Sequence, residues 1–410
     1  MNTRKAFAAV LAVVLGSSSL VACSGDESSS SAGGADGAVT LTVWTSQEEQ
    51  TDDSAWLQTQ EKAFEEANPD MDITWKNSVV SPADAGITVT QDPSAAADVY
   101  LFANDQLGAL KDANAIGALS DEGKEQIQQQ AEQPLIDSVT GTDGEVYGLP
   151  YEPNTWFMYY NKSKLSEEDV KSFDTMLEKA KVSFPLSNSW YISSFYAGAG
   201  TEFFGADGLD ESAGIEPGAK ADAVTKYLAD VAANPNFIDD ADGSGLGGLA
   251  NGSVDVVFSG AWDAKAAKEA LGDDYAVAAP PVYNLDGEEV QMKAFSGSKA
   301  VAYNPNSEHQ VAAAKFAQFL ASSESQKSHF ELNGVIPSDK TLADDADISS
   351  DPVAVALFDT VANASILQPT FKAMSDFWEP AENFGKALVN GEVTKENAVE
   401  KTKAWFSAYK

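Results

Sequence analysis

Arginine is almost missing from this 410-residue chain: Arg4 is the only one, and it lies at the extreme N-terminus. Everything downstream therefore lacks the planar guanidinium fork that grips carboxylate or phosphate in two places at once. A polyphosphate or dicarboxylate ligand is poorly served. Cysteine is equally scarce: a single residue, Cys23, leaves no internal disulfide and no thiolate metal cluster. The two histidines, His309 and His329, stand twenty residues apart without HExxH spacing and read as surface or capping side chains. Basic residues number 26 against 63 acidic ones, a net charge of −37. Nucleic acid, whose binding depends on lysine and arginine neutralising phosphates, is excluded as a partner.

Motifs of cofactor and covalent chemistry are also missing. The sequence contains neither a GxSxG elbow nor a GxxxxGK[ST] phosphate loop. Asp239-Asp-Ala-Asp-Gly243 hints at a calcium loop, but in that register Ile238 and Leu249 occupy the first and twelfth ligand positions, where oxygens are required. The stretch from Asp239 to Gly248 reads as a solvated loop. No metal and no cofactor are expected. Asp/Glu pairs for glycoside hydrolysis are uninformative here, because 63 acids generate many by chance.

What is present begins with an export address. Arg4 and Lys5 precede an apolar run, Ala6 to Gly16, too short to span a bilayer. It ends Leu20-Val21-Ala22-Cys23, which resembles the lipobox of bacterial lipoproteins, so residues 1–22 read as a signal peptide and Cys23 as the lipidated new N-terminus. Loss of Arg4 and Lys5 would take the charge from −37 to −39. The rest of segment 23–38, SGDESSSSAGGADGA after the cysteine, reads as a flexible tether with a reach of roughly 20–25 Å. An exported protein anchored on the outer face of the cell membrane is expected.

The remainder is 43% hydrophobic over the whole chain and long enough for two lobes. Strand and helix signals alternate along it. Val39 to Trp44 alternates as a strand, and a helix follows with Trp56, Ala63, Phe64 and Ala67 inward. Met71 to Trp75 is a second strand. Asp98 to Phe102 is a third, nearly all apolar and so buried on both faces. Met158–Tyr160 and Val254–Phe258 read as further strands, 308–322 as a helix with Ala312, Phe316, Phe319 and Leu320 inward. A last helix, N-capped by Thr394, carries Ala398, Thr402, Trp405, Phe406 and Tyr409 on one stripe. An α/β fold with largely parallel sheets covered by helices is implied. Trp44, Trp56, Trp75 and Trp405 fall on element faces and read as core.

A second set of rings sits instead among polar or small residues: Trp190-Tyr191 after Ser-Asn-Ser, Trp262 after Ser-Gly-Ala, and Phe377-Trp378. Flat rings beside amides and carboxylates suit sugars, whose C–H faces stack and whose hydroxyl rims hydrogen-bond. In this setting the order of segments resembles the extracellular solute-binding proteins of ABC importers, and most closely the maltose/maltodextrin-binding group. The resemblance runs from about Val39 onward through LTVWTSQEEQ (41–50), ADVYLFANDQLGAL (97–110), VYGLPYEPNTWFMYYNKSKL (146–165), NGSVDVVFSGAW (251–262), KAVAYNPNSEHQVAAAKFAQFLASSESQ (299–326) and QPTFKAMSDFW (368–378). It implies a two-lobed periplasmic-binding-protein-like fold, with hinge strands and a cleft that closes on ligand. Lobe 1 would be 39–151 with 296–350, and lobe 2 would be 152–295 with 351–410.

The same resemblance places site residues one by one. Trp262 and Trp378 match stacking tryptophans, Asp105 and Glu48 match acidic hydroxyl contacts, and Asp84 falls near another acid. Trp190 and Tyr191 fill an aromatic pair, and Phe102 stands where a tryptophan is usual. Departures are Glu49 in place of a lysine, Gln106 in place of an arginine, and Asn154 and Asn188 in place of glutamates. A cleft with Glu48, Asp84 and Asp105, at most one nearby lysine and no arginine would repel anions and suit a neutral ligand. The expectation is a non-enzymatic, monomeric receptor that delivers neutral oligosaccharide, most closely α-1,4-glucan, to membrane permease subunits. The alternatives are a receptor for fructo- or xylo-oligosaccharides, a secreted glycosidase, and an adhesin, for which neither repeats nor a stalk are present.

Overall fold

The computed structural model describes residues 38–50 and 55–409. The signal peptide, Cys23 and nearly all of the tether lie outside the described residues. No described helix is long and apolar enough to cross a membrane.

In chain order the strands are β1 (Val39–Thr45), β2 (Ile73–Val79), β3 (Val99–Ala103) and β4 (Leu149–Asn154). After these come β5 (Trp156–Asn161), β6 (Val182–Phe184), β7 (Glu202–Phe203), β8 (Ile215–Glu216), β9 (Phe237–Asp239), β10 (Val256–Gly260) and β11 (Tyr275–Ala278). The last four are β12 (Val282–Leu285), β13 (Glu288–Gln291), β14 (Ala294–Tyr303) and β15 (Ser365–Leu367). One main sheet runs β15-β14-β3-β1-β2 with β4 also on β14, and the other runs β11-β5-β10-β6-β9. Each has its own core: Leu41, Val43, Leu101 and Phe316 in the first, Trp156, Val182, Phe258 and Phe195 in the second.

The α/β character is as expected, with more antiparallel pairing than the alternation suggested. β1 pairs in parallel with β2 and β3. β14 returns antiparallel against β3 and β4, and β5 lies antiparallel to β10 and β11. The chain crosses between the sheets from β4 to β5 and again from β11, through the paired strands β12 and β13, to β14. β4 leads into β5 across Thr155 alone, whose hydroxyl donates to Phe295 O at 2.8 Å. The ten-residue β14 pairs with β15 at its start and with β3 and β4 at its end. These passages carry Asn154 and Lys299 to the space between the sheets.

The helix Trp56–Ala67 buries Trp56, Leu57, Gln60, Glu61 and Phe64, while Ala67 is exposed. Helix Gln310–Leu320 buries Ala312, Phe316 and Leu320 as its period predicts. The last helix begins at Ala398, and Thr394 is not its cap: the Thr394 N–H donates to the Asn397 side chain at 2.8 Å. The solvated loop expected through Gly248 stops earlier, because a helix starts at Gly245, whose N–H donates to buried Asp240 at 2.9 Å. His329 is neither surface nor cap. It is buried, stacked on Trp56 with centroids 4.0 Å apart, and its Nε2 stands 3.4 Å from Glu49 Oε1. Ile336 and Ile348 pack with Phe157 and Tyr159 of β5 rather than with the first core.

Candidate functional site

Between the two sheets lies an open chamber of about 560 Å³. Its walls are loops and element ends, where side chains are freed from core packing. β1 ends in a loop that presents Ser46 and Glu48. Buried Glu49 shapes that loop by accepting the Ser46 N–H at 2.7 Å. The Gln50 side chain ties it down by donating to Thr45 O at 3.1 Å and Ser78 O at 2.9 Å. Burial opposes the charge of Glu49, but the approach of His329, the Ser46 N–H and Lys299 outweigh it and hold the carboxyl below its ordinary value.

A short 3-10 turn after β3 supplies Asp105 and Gln106. Asp105 projects into the open cleft, and the surrounding protein still pushes its carboxyl up to about 6 by desolvation. Gln106 lines the chamber, but its amide is spent on the wall. It donates to Pro82 O at 2.7 Å and Ala83 O at 2.9 Å, and its oxygen accepts the Gly86 N–H. A Cβ at residue 86 would fall 2.5 Å from that oxygen, so glycine is required for the clamp.

The opposite wall is aromatic. Helix Ser189–Gly198 carries Trp190 in its first turn, and the Trp190 N–H donates to the capping Asn188 Oδ1 at 2.9 Å. The Trp190 indole donates to Gln368 Oε1 at 2.8 Å. Trp262 follows β10, lies 6.1 Å from Trp190 at 34°, and is 48% exposed. Its ring rests on Gly260, where a Cβ would fall 2.0 Å from the indole. Trp378 stands edge-on to Phe295 at 5.9 Å. A second chamber of about 620 Å³ adjoins the first and shares Ser46, Glu48, Trp262 and Lys299 with it.

Seven of the eleven ligand-contact positions read from the sequence line the first chamber: Glu48, Asp105, Gln106, Asn154, Trp190, Trp262 and Trp378. The other four do not. Phe102 is fully buried at 6.3 Å from Tyr100, because β3 is covered on both faces. Tyr191 turns into the second core and stacks on Trp156 at 5.1 Å, its hydroxyl raised by burial and by Asp263. Asn188 is exposed and serves as a helix cap. Asp84 is exposed at the start of helix Ala85–Gln91, one residue beyond the lining Ala83.

Sequence reading missed Lys299 and Gln368, among others. Lys299 had a visible signal: it is the one charged residue within the otherwise uncharged strand Ala294–Tyr303. Its ammonium donates to Glu152 Oε2 at 2.7 Å. Burial opposes the lysine charge, but Glu152, Glu49 and Glu48 outweigh it and hold the ammonium above its ordinary value. The limit of one lysine near the cleft holds for the first chamber's lining; Lys265 and Lys268 also line the second. The arrangement can stack flat apolar faces, accept hydrogen bonds from hydroxyls and donate a few in return. Among the described residues, no group of three or more His, Cys, Asp or Glu could hold a metal ion.

Comparison with known proteins places this geometry. The family model described as bacterial extracellular solute-binding protein matches residues 60–356. A maltooligosaccharide ABC transporter solute-binding lipoprotein of Streptococcus pneumoniae is 26% identical over 314 residues, 72% of each chain. A solved structure described as "with acarbose" is 44% identical, with a TM-score of 0.86 over 91% of this chain and 99% of that one. The maltodextrin-binding protein MalE1 of L. casei BL23, solved without ligand, is 28% identical, with a TM-score of 0.83 over the same shares.

Proposed function

The chain belongs to the bacterial extracellular solute-binding proteins, and from that premise we propose that it is the sugar receptor of an ABC importer, taking malto-oligosaccharides. The observation that carries this reading is the chamber itself, where Trp190, Trp262 and Trp378 gather opposite Glu48 and Asp105. Indoles cover the C–H faces of glucose units, and carboxylates accept from their hydroxyls, with bonds that offset desolvation as the lobes close. The similar maltooligosaccharide and maltodextrin proteins support the ligand class.

Within this reading Glu48, Asp105, Asn154 and the three tryptophans touch ligand, and Gln106 holds the wall. The lobes divide as 39–151 with 296–350 and 152–295 with 351–410, a reading supported by the separate cores of the two main sheets. The chain binds without catalysis, works as a monomer, and is held outside the cell by lipid on Cys23 beside its permease subunits.

A tryptophan-fluorescence titration of the chain from Ser24 tests the ligand. Maltotriose and maltotetraose should give a saturable change, with fructo- and xylo-oligosaccharides inert. A response to one of the latter alone would keep the receptor and reassign its sugar.

A further inference from the structure

The first chamber holds two carboxylates, Glu48 and Asp105, that accept from hydroxyls, and apart from Lys299 its side-chain donors, such as Asn154, Gln368, Trp262 and Trp378, are neutral. The Gln106 amide hydrogens go to Pro82 and Ala83, and the Trp190 N–H goes to Gln368. A sugar hydroxyl needs both kinds of partner, because it donates once and accepts through two lone pairs.

Lys299 is placed to meet that need. β14 is irregular against β4 between Lys299 and Ala300, and such bulges re-aim side chains beside functional sites. Lys299 sits opposite Glu152 in the register, with one ammonium hydrogen spent on that carboxylate at 2.7 Å. Glu152 is 6% exposed, whereas the lysine side chain keeps 22% of its surface open. An ammonium has three hydrogens, so two remain. Lys299 lines both chambers and is the only charged donor lining the first.

We infer that Lys299 binds the oligosaccharide directly, donating to sugar hydroxyls at the junction where the chain passes from the first chamber into the second. This rests on the proposed function and assigns the cleft a ligand-contacting residue that fixes where the chain crosses. The competing role is purely structural: a counter-ion for buried Glu152, with no contact to sugar.

Two variants separate the roles. Lys299→Met leaves the Glu152 carboxylate buried and alone, which should lower the melting temperature. Lys299→Met combined with Glu152→Gln removes both charges and should recover it. Calorimetric titration with maltotetraose should then give binding about 10- to 100-fold weaker than wild type in both variants, the loss expected for a charged donor. Wild-type affinity in the recovered double variant would overturn the direct contact and leave the counter-ion role. A wild-type chain that binds no malto-oligosaccharide would overturn the proposed function and this inference together.

Discussion

Replacement of Trp262 by alanine should weaken sugar binding by about two orders of magnitude while leaving the fold intact. Trp262 is 48% exposed. A tryptophan offers at most about 250 Å² of side-chain surface, so roughly 120 Å² remains for a ligand to cover. At about 25 cal/mol per Å² that is close to 3 kcal/mol, or roughly 100-fold in Kd. Little should be deducted for ordering, because the indole is already seated on Gly260 and leans on Trp190 at 6.1 Å. Calorimetry with maltotetraose reads the affinity, and a melting curve without sugar reads the fold. A variant within threefold of wild-type affinity would show that the exposed face of Trp262 is not the one the sugar covers.

Gly260→Ala should act on the same ring from beneath: the added methyl must push the indole off its seat, weakening binding and altering tryptophan emission at unchanged tryptophan content. Affinity should fall as pH drops through about 6, where Asp105 changes from acceptor to protonated acid, and Asp105→Asn should flatten that profile between pH 5 and 8. Stability should respond in the opposite direction at a different place. Burial raises Glu61 from 4.5 to about 7, only partly offset by its bond from Asn77. Its folded value lies above its unfolded one, so the folded form binds the proton more tightly and gains stability as pH falls below about 7. Glu61→Gln should therefore raise the melting temperature at pH 8 by removing a cost of up to about 3 kcal/mol, with the difference vanishing near pH 4. Equal melting curves at pH 8 would contradict it.

Much of this was legible in the residues, and the failures share a cause. The apolar run through Phe102 reads as a strand buried on both faces, and β3 is that; only the resemblance turned Phe102 into a stacking ring. Where pattern and analogy disagreed, the pattern prevailed, because burial is decided by the whole sheet. Trp190, Trp262 and Trp378 stood out because each interrupts a polar or small-residue context, and all three line the chamber. His329 could not be placed, since its partners Glu49 and Trp56 lie more than 270 residues away in sequence. Gln106 was seen as a cleft residue, but the three backbone groups that engage its amide come from a turn and the helix start after it, 82–86, whose path no local signal announces. Tyr191 follows Trp190 directly, and on a helix neighbours face about 100° apart, so one ring entered the cleft and the other the core.

This cleft should capture malto-oligosaccharide and release it unchanged. Titration calorimetry with maltotetraose, followed by chromatography of the recovered sugar, checks both halves at once. One saturable site per chain with the tetrasaccharide returned whole is the predicted result. Absence of binding heat across the malto-oligosaccharides, or recovery of shortened sugars, would contradict it.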